Sequence, residues 1–489
     1  MGRTTSVVAA TAAAAFVFSV ELEKGYAPSH TVRGHATHDY RPPVSNGPAS
    51  WQAARPIGIT NVTVIDVERG TRLRDQTIVI EGGRISTVGP SSHVRVPDGY
   101  GVVEARGKFV IPGLIDTHVH LLWDRDSATA PDSTIRWLKS FVPFGVTTVR
   151  EASARNLDVA NMRWRSKLDQ DGSPLPRVYV SGRADRRHVA LASAGGVGDL
   201  TRQLAKRGVD GIKIRDELTL DEVREVVREA RAERKPVYGH TYYRDVDYTR
   251  DAVLAGVEGV MHVSGIRAIG NNRRPDAPPS DTTDWQAMWL YRMGEWLYED
   301  TSYTNSLIRL MVERRVWLEP TLVTEEFILQ TPDDLRRHPG ARFLKHPVEW
   351  WRDGFPLPKG EALARARASV DGMKRFVGRF QAAGGVVVTG TDGRPFYAGG
   401  VHDEMRLLVE AGLPPAAALR AATSDAARVL RWQNRVGSVA VGRLADLLIL
   451  DANPLDDIRN TLRINAVVLN GRVIESVERD RLLARLAGR

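Results

Sequence analysis

The chain has no cysteine among its 489 residues. That absence excludes disulfides, thiolate nucleophiles, iron–sulfur clusters and sulfur-ligated zinc, so any metal must be held by nitrogen and oxygen. Histidine is scarce as well, with 12 in all, which makes the position of each one informative. No basic stripe interleaved with aromatics is found. The net charge of +9 is spread among acids, as in "DEVREVVREARAERK", so nucleic acid is not an expected partner. Long hydrophobic runs are also rare. The apolar stretch Val7 to Val20 behind Arg3 is 14 residues long, short for a membrane span and closer to a signal-peptide core, although no clean small-x-small cleavage site follows it. A periplasmic or secreted location, with no stable membrane span in the mature protein, is therefore expected; a cytoplasmic one is the alternative.

What is present is globular. Hydrophobic residues make up 42% and charged residues 26%, and the length suits two or three domains or one large barrel with an appendage. After the signal-like segment 1–20 and a linker over 21–55, short β-branched runs punctuated by Gly and Pro fill 56–110 and return over 433–480. "TIVIEGGRIS" and "AVVLNGRVIES" even resemble each other. Two such segments predict one small β-sandwich assembled from both ends of the chain. Between them, over 111–432, strand-like runs alternate with helix-like ones, the pattern of βαβ units. Eight strand candidates (114–120, 146–151, 177–182, 211–214, 236–240, 259–263, 316–322 and 385–392) predict an α/β fold, a (β/α)8 TIM barrel with insertions at 263–315 and 323–384, whose chemistry sits at the C-terminal strand ends.

"GLIDTHVHLLWD", residues 113–124, places two histidines one residue apart on the first of these strands. Side chains alternate along a strand, so His118 and His120 share a face with Asp116, about 7 Å apart, close enough to chelate one ion. The other strand ends add Lys213, His240, His262 and Asp392. Singly, each histidine could be buried and hydrogen-bonded, and Asp392 in "TGTDGRP" could be a turn residue. Lys213 is harder to explain that way. Its neighbours Ile212 and Ile214 face the helix layer, so the lysine points into the barrel, where an unpaired ammonium is costly. Together, in barrel order, the six form a dinuclear ligand set.

"GLIDTHVH", the inward Lys213, "GHTYY", "GVMHV", "VVTGTD" and the closing "AATSDAARVL…GSVAVGRLADLLILDANPL" resemble the amidohydrolase superfamily, in particular its imidazolonepropionase-like and prolidase-like branch, over about residues 56–475. The resemblance implies that His118, His120 and Asp392 hold one metal and His240 and His262 another. Lys213, carboxylated to a carbamate, would bridge them. Two Zn²⁺ ions are expected, with Mn²⁺ or Fe²⁺ also compatible with the donors. A shared, acidified water would attack an amide, cyclic amide or peptide carbonyl while Asp392 moves its proton to the leaving amine. Tyr242 matches a substrate-contacting tyrosine of the family, and Arg394 could clamp a substrate carboxylate.

One departure puts dipeptide specificity in doubt. After strand three, "SGRADRRHVALASAGG" displaces His188 and lacks the Gly-Gly-His element of prolidase-type relatives. The same scaffold could serve as an esterase, lactonase or phosphotriesterase, and a non-catalytic interaction module is the third alternative. Finally, Trp285, Trp289, Met293 and Trp296 recur at spacings of four, four and three, one stripe of a helix. Such a stripe either packs into the core, covers the barrel mouth, or forms the subunit contact of an expected homo-oligomer.

Overall fold

The structure, a computed structural model, describes residues 55–121, 138–154, 174–186, 195–215, 218–241, 248–270, 272, 274–275, 285–338, 340–341, 357–393 and 399–487, all within the compact unit Ser45–Arg489. The signal-like segment, the linker up to residue 54, His188, Tyr242 and Arg394 lie outside the described residues.

Five strands open the chain: β1 (Ile57–Asp66), β2 (Thr71–Glu81), β3 (Arg84–Pro90), β4 (Gly101–Glu104) and β5 (Phe109–Pro112). Seven parallel strands follow: β6 (Leu114–Val119), β7 (Val146–Ala154), β8 (Arg177–Ala184), β9 (Gly211–Ile214), β10 (Val237–Gly239), β11 (Gly259–Met261) and β12 (Trp317–Glu319). They are hydrogen-bonded in sequence order, as consecutive βαβ units require. The chain then returns to the first sheet with β13 (Leu447–Leu450), β14 (Ile464–Leu469) and β15 (Arg472–Glu475), giving the order β15-β14-β13-β5-β1-β2-β3 with β4 on β1. The fold is thus a parallel α/β barrel joined to a β-sandwich domain made from strands before and after it in the chain.

Alternation explains how β13 and β14 join the two parts. Leu447, Ile449, Ala466 and Val468 enter the sandwich core with Ile59, Val62, Ile78 and Ile80, while Leu448, Leu450 and Val467 enter the barrel's core. Arg177 on β8 reinforces the junction, its Nε donating to Asp446 Oδ2 at 2.6 Å.

The eighth barrel segment departs from the expected strand. It joins β12 through a single bridge, Leu318 to Val387, flanked by Leu318 N to Val386 O and Val388 N to Leu318 O, both 2.9 Å. Thr117 N donates to Thr389 O at 2.9 Å and completes the ring on the β6 side. Regular pairing stops there because the segment's other amides go elsewhere: Thr389 N to Ala421 O at 3.2 Å and Thr391 N to the Asp116 carboxylate at 3.1 Å.

Inside the barrel, Ile115, Tyr179, Tyr238, Met261, Trp317 and Val388 form a floor, the packed lower layer of such folds. Ile212 and Ile214 face outward into the helix layer, leaving Lys213 inside, wholly buried. Gly259 lets the floor close: a Cβ there would lie 2.1 Å from the Trp317 ring. Gly259→Ala should therefore overpack the floor and destabilise by about 1–3 kcal/mol, read as a lower urea midpoint with the metal-free protein.

Candidate metal centre

Above this floor the C-terminal strand ends bring His118, His120, Lys213, His240, His262 and Asp392 together. His118 sits at the hub. Its Nε2 is 3.3 Å from Asp392 Oδ1 and 3.1 Å from Lys213 Nζ. His120 Nε2 lies 2.9 Å from the same Asp392 oxygen. The His262 ring is centred 4.8 Å from His118 and 4.7 Å from His240, and its Nδ1 pairs with Thr321 Oγ1 at 2.8 Å. One donor atom each from His118, His262 and Asp392 falls within a 4.8 Å group.

Backbone conformation aims several of these side chains. Met261 faces the barrel floor and Val260 the helix layer, so alternation alone would turn His262 outward. His262 instead has φ 64°, and Asp392 and Thr321 have φ 54° and 51°. These left-handed conformations are unusual for non-glycine residues and cost roughly 1–3 kcal/mol each. At the sixth strand end the effect is to break the alternation and bring an imidazole into the mouth.

Burial sets the protonation states. It holds His118, His240 and His262 well below the usual imidazole range, with Lys213 or Arg215 adding to the depression at His118 and His240, so all three are neutral and carry a lone pair. Lys213 is pushed down to about 7, by burial first and the Arg215 charge second, which makes its free amine accessible near neutral pH. Burial alone would raise Asp392, but the opposing contacts, the His120 hydrogen bond first among them, outweigh it and keep the carboxylate well below its ordinary value.

Neutral imidazoles converging on one ionised carboxylate suit a metal. Two donors bound about 2.0–2.1 Å from a tetrahedral Zn²⁺ sit about 3.3 Å apart, and the 2.9 and 3.3 Å contacts of Asp392 Oδ1 with His120 and His118 fall close to that separation. The donor set is all nitrogen and oxygen, as the lack of cysteine requires.

Three groups around the centre went unremarked as site residues in the sequence. Asp116 shares the His118 strand and straps it to the eighth segment: it accepts His118 N at 3.0 Å, Thr391 N at 3.1 Å and Thr391 Oγ1 at 2.7 Å. Glu319, at the end of β12, accepts from His118 Nδ1 at 2.6 Å and pairs with the wholly buried Arg150 of β7. A carboxylate ending the apolar run "VWLEP" and an arginine inside "VTTVRE" were the available signals.

Met293, Trp296 and Trp289 of the aromatic stripe pack within their own chain, while the Trp285 side chain lies outside the described residues. On the helix Trp285–Glu295, Met293 joins the main core, as does Trp296 just beyond it, and Trp296 meets Phe376 edge-on at 5.3 Å. Trp289 packs against the same core and donates from Nε1 to Glu325 Oε2 at 2.8 Å. Glu325 in turn accepts from Ser264 at 2.5 Å, two residues beyond His262.

The sequence profile described as "Amidohydrolase family" matches residues 109–474, and the chain belongs to that family. It is 27% identical to an imidazolonepropionase from Micrococcus luteus over 410 residues, 81% of this chain and 92% of that protein. It is 26% identical to an adenine deaminase 2 from Bradyrhizobium sp. over 212 residues, which spans 40% of this chain and only 34% of that relative. Among solved structures, a Xaa-Pro dipeptidase with bound methionine in its active site superposes with a TM-score of 0.63 at 21% identity, covering 86% of this chain and all of that one; this likeness shows the fold.

The Asp116 strap yields a direct test. Asp116→Ala would leave the Thr391 and His118 amides buried without an acceptor, at about 1–3 kcal/mol for each group. The urea midpoint of the metal-free protein should fall, and Asp116→Asn should fall less.

Proposed function

We propose that this member of the amidohydrolase family is a dinuclear metallohydrolase that cleaves carbon–nitrogen bonds in small amides, cyclic amides or peptides. The observation that carries the reading is the convergence of four histidines, one lysine and one ionised aspartate on the C-terminal strand ends of a barrel. His118, His120 and Asp392 would hold one ion, His240 and His262 the other, and Lys213 in carboxylated form would bridge them. Zn²⁺ suits the donors best, with Mn²⁺ or Fe²⁺ as substitutes. When bound, the ions supply an acidified water and a Lewis acid for the scissile carbonyl.

The protein's own groups do the rest. Asp392, held ionised with the help of its His120 hydrogen bond, takes the proton of the attacking water and returns it to the leaving nitrogen. Lys213 reaches the centre as a free amine, the form that reacts with CO2, and a carbamate there replaces a costly buried cation with an anion between two dications. The adenine deaminase named above fits this chemistry, since deaminating adenine breaks a carbon–nitrogen bond. Tyr242 and Arg394 belong to the same proposal as substrate contacts, as do export of the mature protein and a homo-oligomeric state.

Two measurements test the centre. Dialysis against a chelator should abolish turnover on a panel of N-acyl amino acids, dipeptides and lactams, and Zn²⁺ or Mn²⁺ should restore it. Lys213→Ala should lose at least one of two bound metals by elemental analysis and drop turnover by orders of magnitude. Added short-chain carboxylic acids should recover part of it by filling the gap. A Lys213→Ala protein with two tightly held metals and near-native rate would overturn the bridge.

A further inference from the structure

The hub histidine is held from behind by a pair of groups that the proposed reaction does not use. Glu319 and Arg150 are both fully buried, on strands β12 and β7, and neither is among the proposed ligands. Glu319 Oε1 accepts from His118 Nδ1 at 2.6 Å. Its other oxygen accepts from Thr117 Oγ1 and from Arg150 Nη2. Arg150 also donates from Nε to Thr117 O, and its guanidinium lies 4.3 Å above the Tyr238 ring. The floor, the ion pair and the metal layer are therefore stacked in that order.

We propose that Glu319, anchored by Arg150, is a positioning residue that fixes the orientation and tautomer of His118 so that Nε2 presents its lone pair to the metal. The inference rests on the metal-centre reading above. The arginine cannot shed its proton, and a cation with no access to water requires an anion, which Glu319 supplies. A carboxylate only accepts hydrogen bonds, so Nδ1 of His118 carries the proton and Nε2 the lone pair. That Nε2 is the atom facing Asp392 and Lys213. Room for the contact is built into the eighth segment. A Cβ at Gly390 would come within 2.7 Å of both Glu319 and His118, so only glycine lets the carboxylate and the imidazole meet.

A purely structural ion pair and a positioning pair predict different things. Glu319→Gln keeps an acceptor but no charge, and leaves Arg150 uncompensated, so it is compared with the double variant Arg150→Met/Glu319→Gln, which removes both charges together. For each protein, Zn²⁺ affinity is measured by chelator competition, the ligand field by the visible absorption of the Co²⁺-loaded protein, and folding by the thermal midpoint of the metal-free form. The expected result is a folded double variant that binds Zn²⁺ about 10- to 100-fold more weakly and shows altered Co²⁺ bands. Native affinity and native bands in either folded variant would overturn the assignment. Failure of both variants to fold would also overturn it, marking the pair as a staple of the barrel. If the native protein itself takes up no Co²⁺, the metal-centre reading falls and this inference falls with it, an outcome distinct from the other two.

Discussion

Among the described residues, the charged groups beneath the candidate metal centre are shut off from water, and that constraint organises what surrounds them. Arg150, Lys213, Glu319 and Asp116 are each 1% exposed or less. A buried ion without a partner costs several kcal/mol even after relaxation, so each must be neutralised, paired or bound to a metal. The three solutions are stacked along the barrel axis. Arg150 is paired with Glu319 and lies over aromatic rings. Asp116, pushed up to about 7 chiefly by burial, is saturated with hydrogen bonds from His118 and Thr391. His118, His240 and His262 lose their charge instead, Lys213 is brought within reach of its free amine, and these neutral forms are the ones that bind metal or CO2. Polarity therefore increases from an aromatic floor, through an ion pair, to a layer of lone pairs.

The same constraint accounts for the strained backbone. Left-handed φ values at His262, Thr321 and Asp392 would be wasteful in a barrel that needed only stability, and Thr321 is β-branched, the type that tolerates this region least. All three lie at strand ends beside the centre, and His262 is hydrogen-bonded to Thr321. Such strain persists only where surrounding contacts over-determine it. Here Glu404 helps to do so, accepting the amides of Leu322 and Val323 at 3.1 and 2.8 Å immediately after Thr321. Rigid support below and behind the site is what allows uncomfortable conformations within it.

How far the sequence revealed this follows from the rules that hold in a regular strand. Alternation placed Lys213 inside, between two outward isoleucines, because β9 pairs with β8 and β10 without a register shift. It linked His118 and His120 as well, and the two β-rich ends were recognisable by texture. Alternation fails at irregularities. It gives no reason for His262 to point inward, since a positive φ cannot be read from "GVMHV". It overstated the eighth strand, where only one bridge forms, because the Asp116 carboxylate on β6 and the Ala421 carbonyl take two of its amides. Glu319 and Arg150 escaped for a different reason: a carboxylate or guanidinium at an inward position signals a partner, and that partner lies 169 residues away in the chain. Long-range pairing of this kind is fixed by barrel closure, which composition and periodicity do not encode.

Substrate choice is subject to a looser rule than chemistry. The strand ends fix the reactive groups, whereas specificity belongs to whatever surrounds the mouth. Among the described residues one such surrounding element is tied to the centre itself. Trp289 of the inserted helix and Ser264, beyond the His262 strand, share the Glu325 carboxylate, and burial raises that group to about 7 against the opposing pull of both hydrogen bonds. An insertion that only filled space would bury its tryptophan among aliphatic side chains. Spending an indole N–H on a carboxylate that also grips the segment after β11 couples the position of the insertion to the position of His262. Buried pairing holds the groups at the strand ends in place, and the shared Glu325 carboxylate is a described route by which the insertion bears on them.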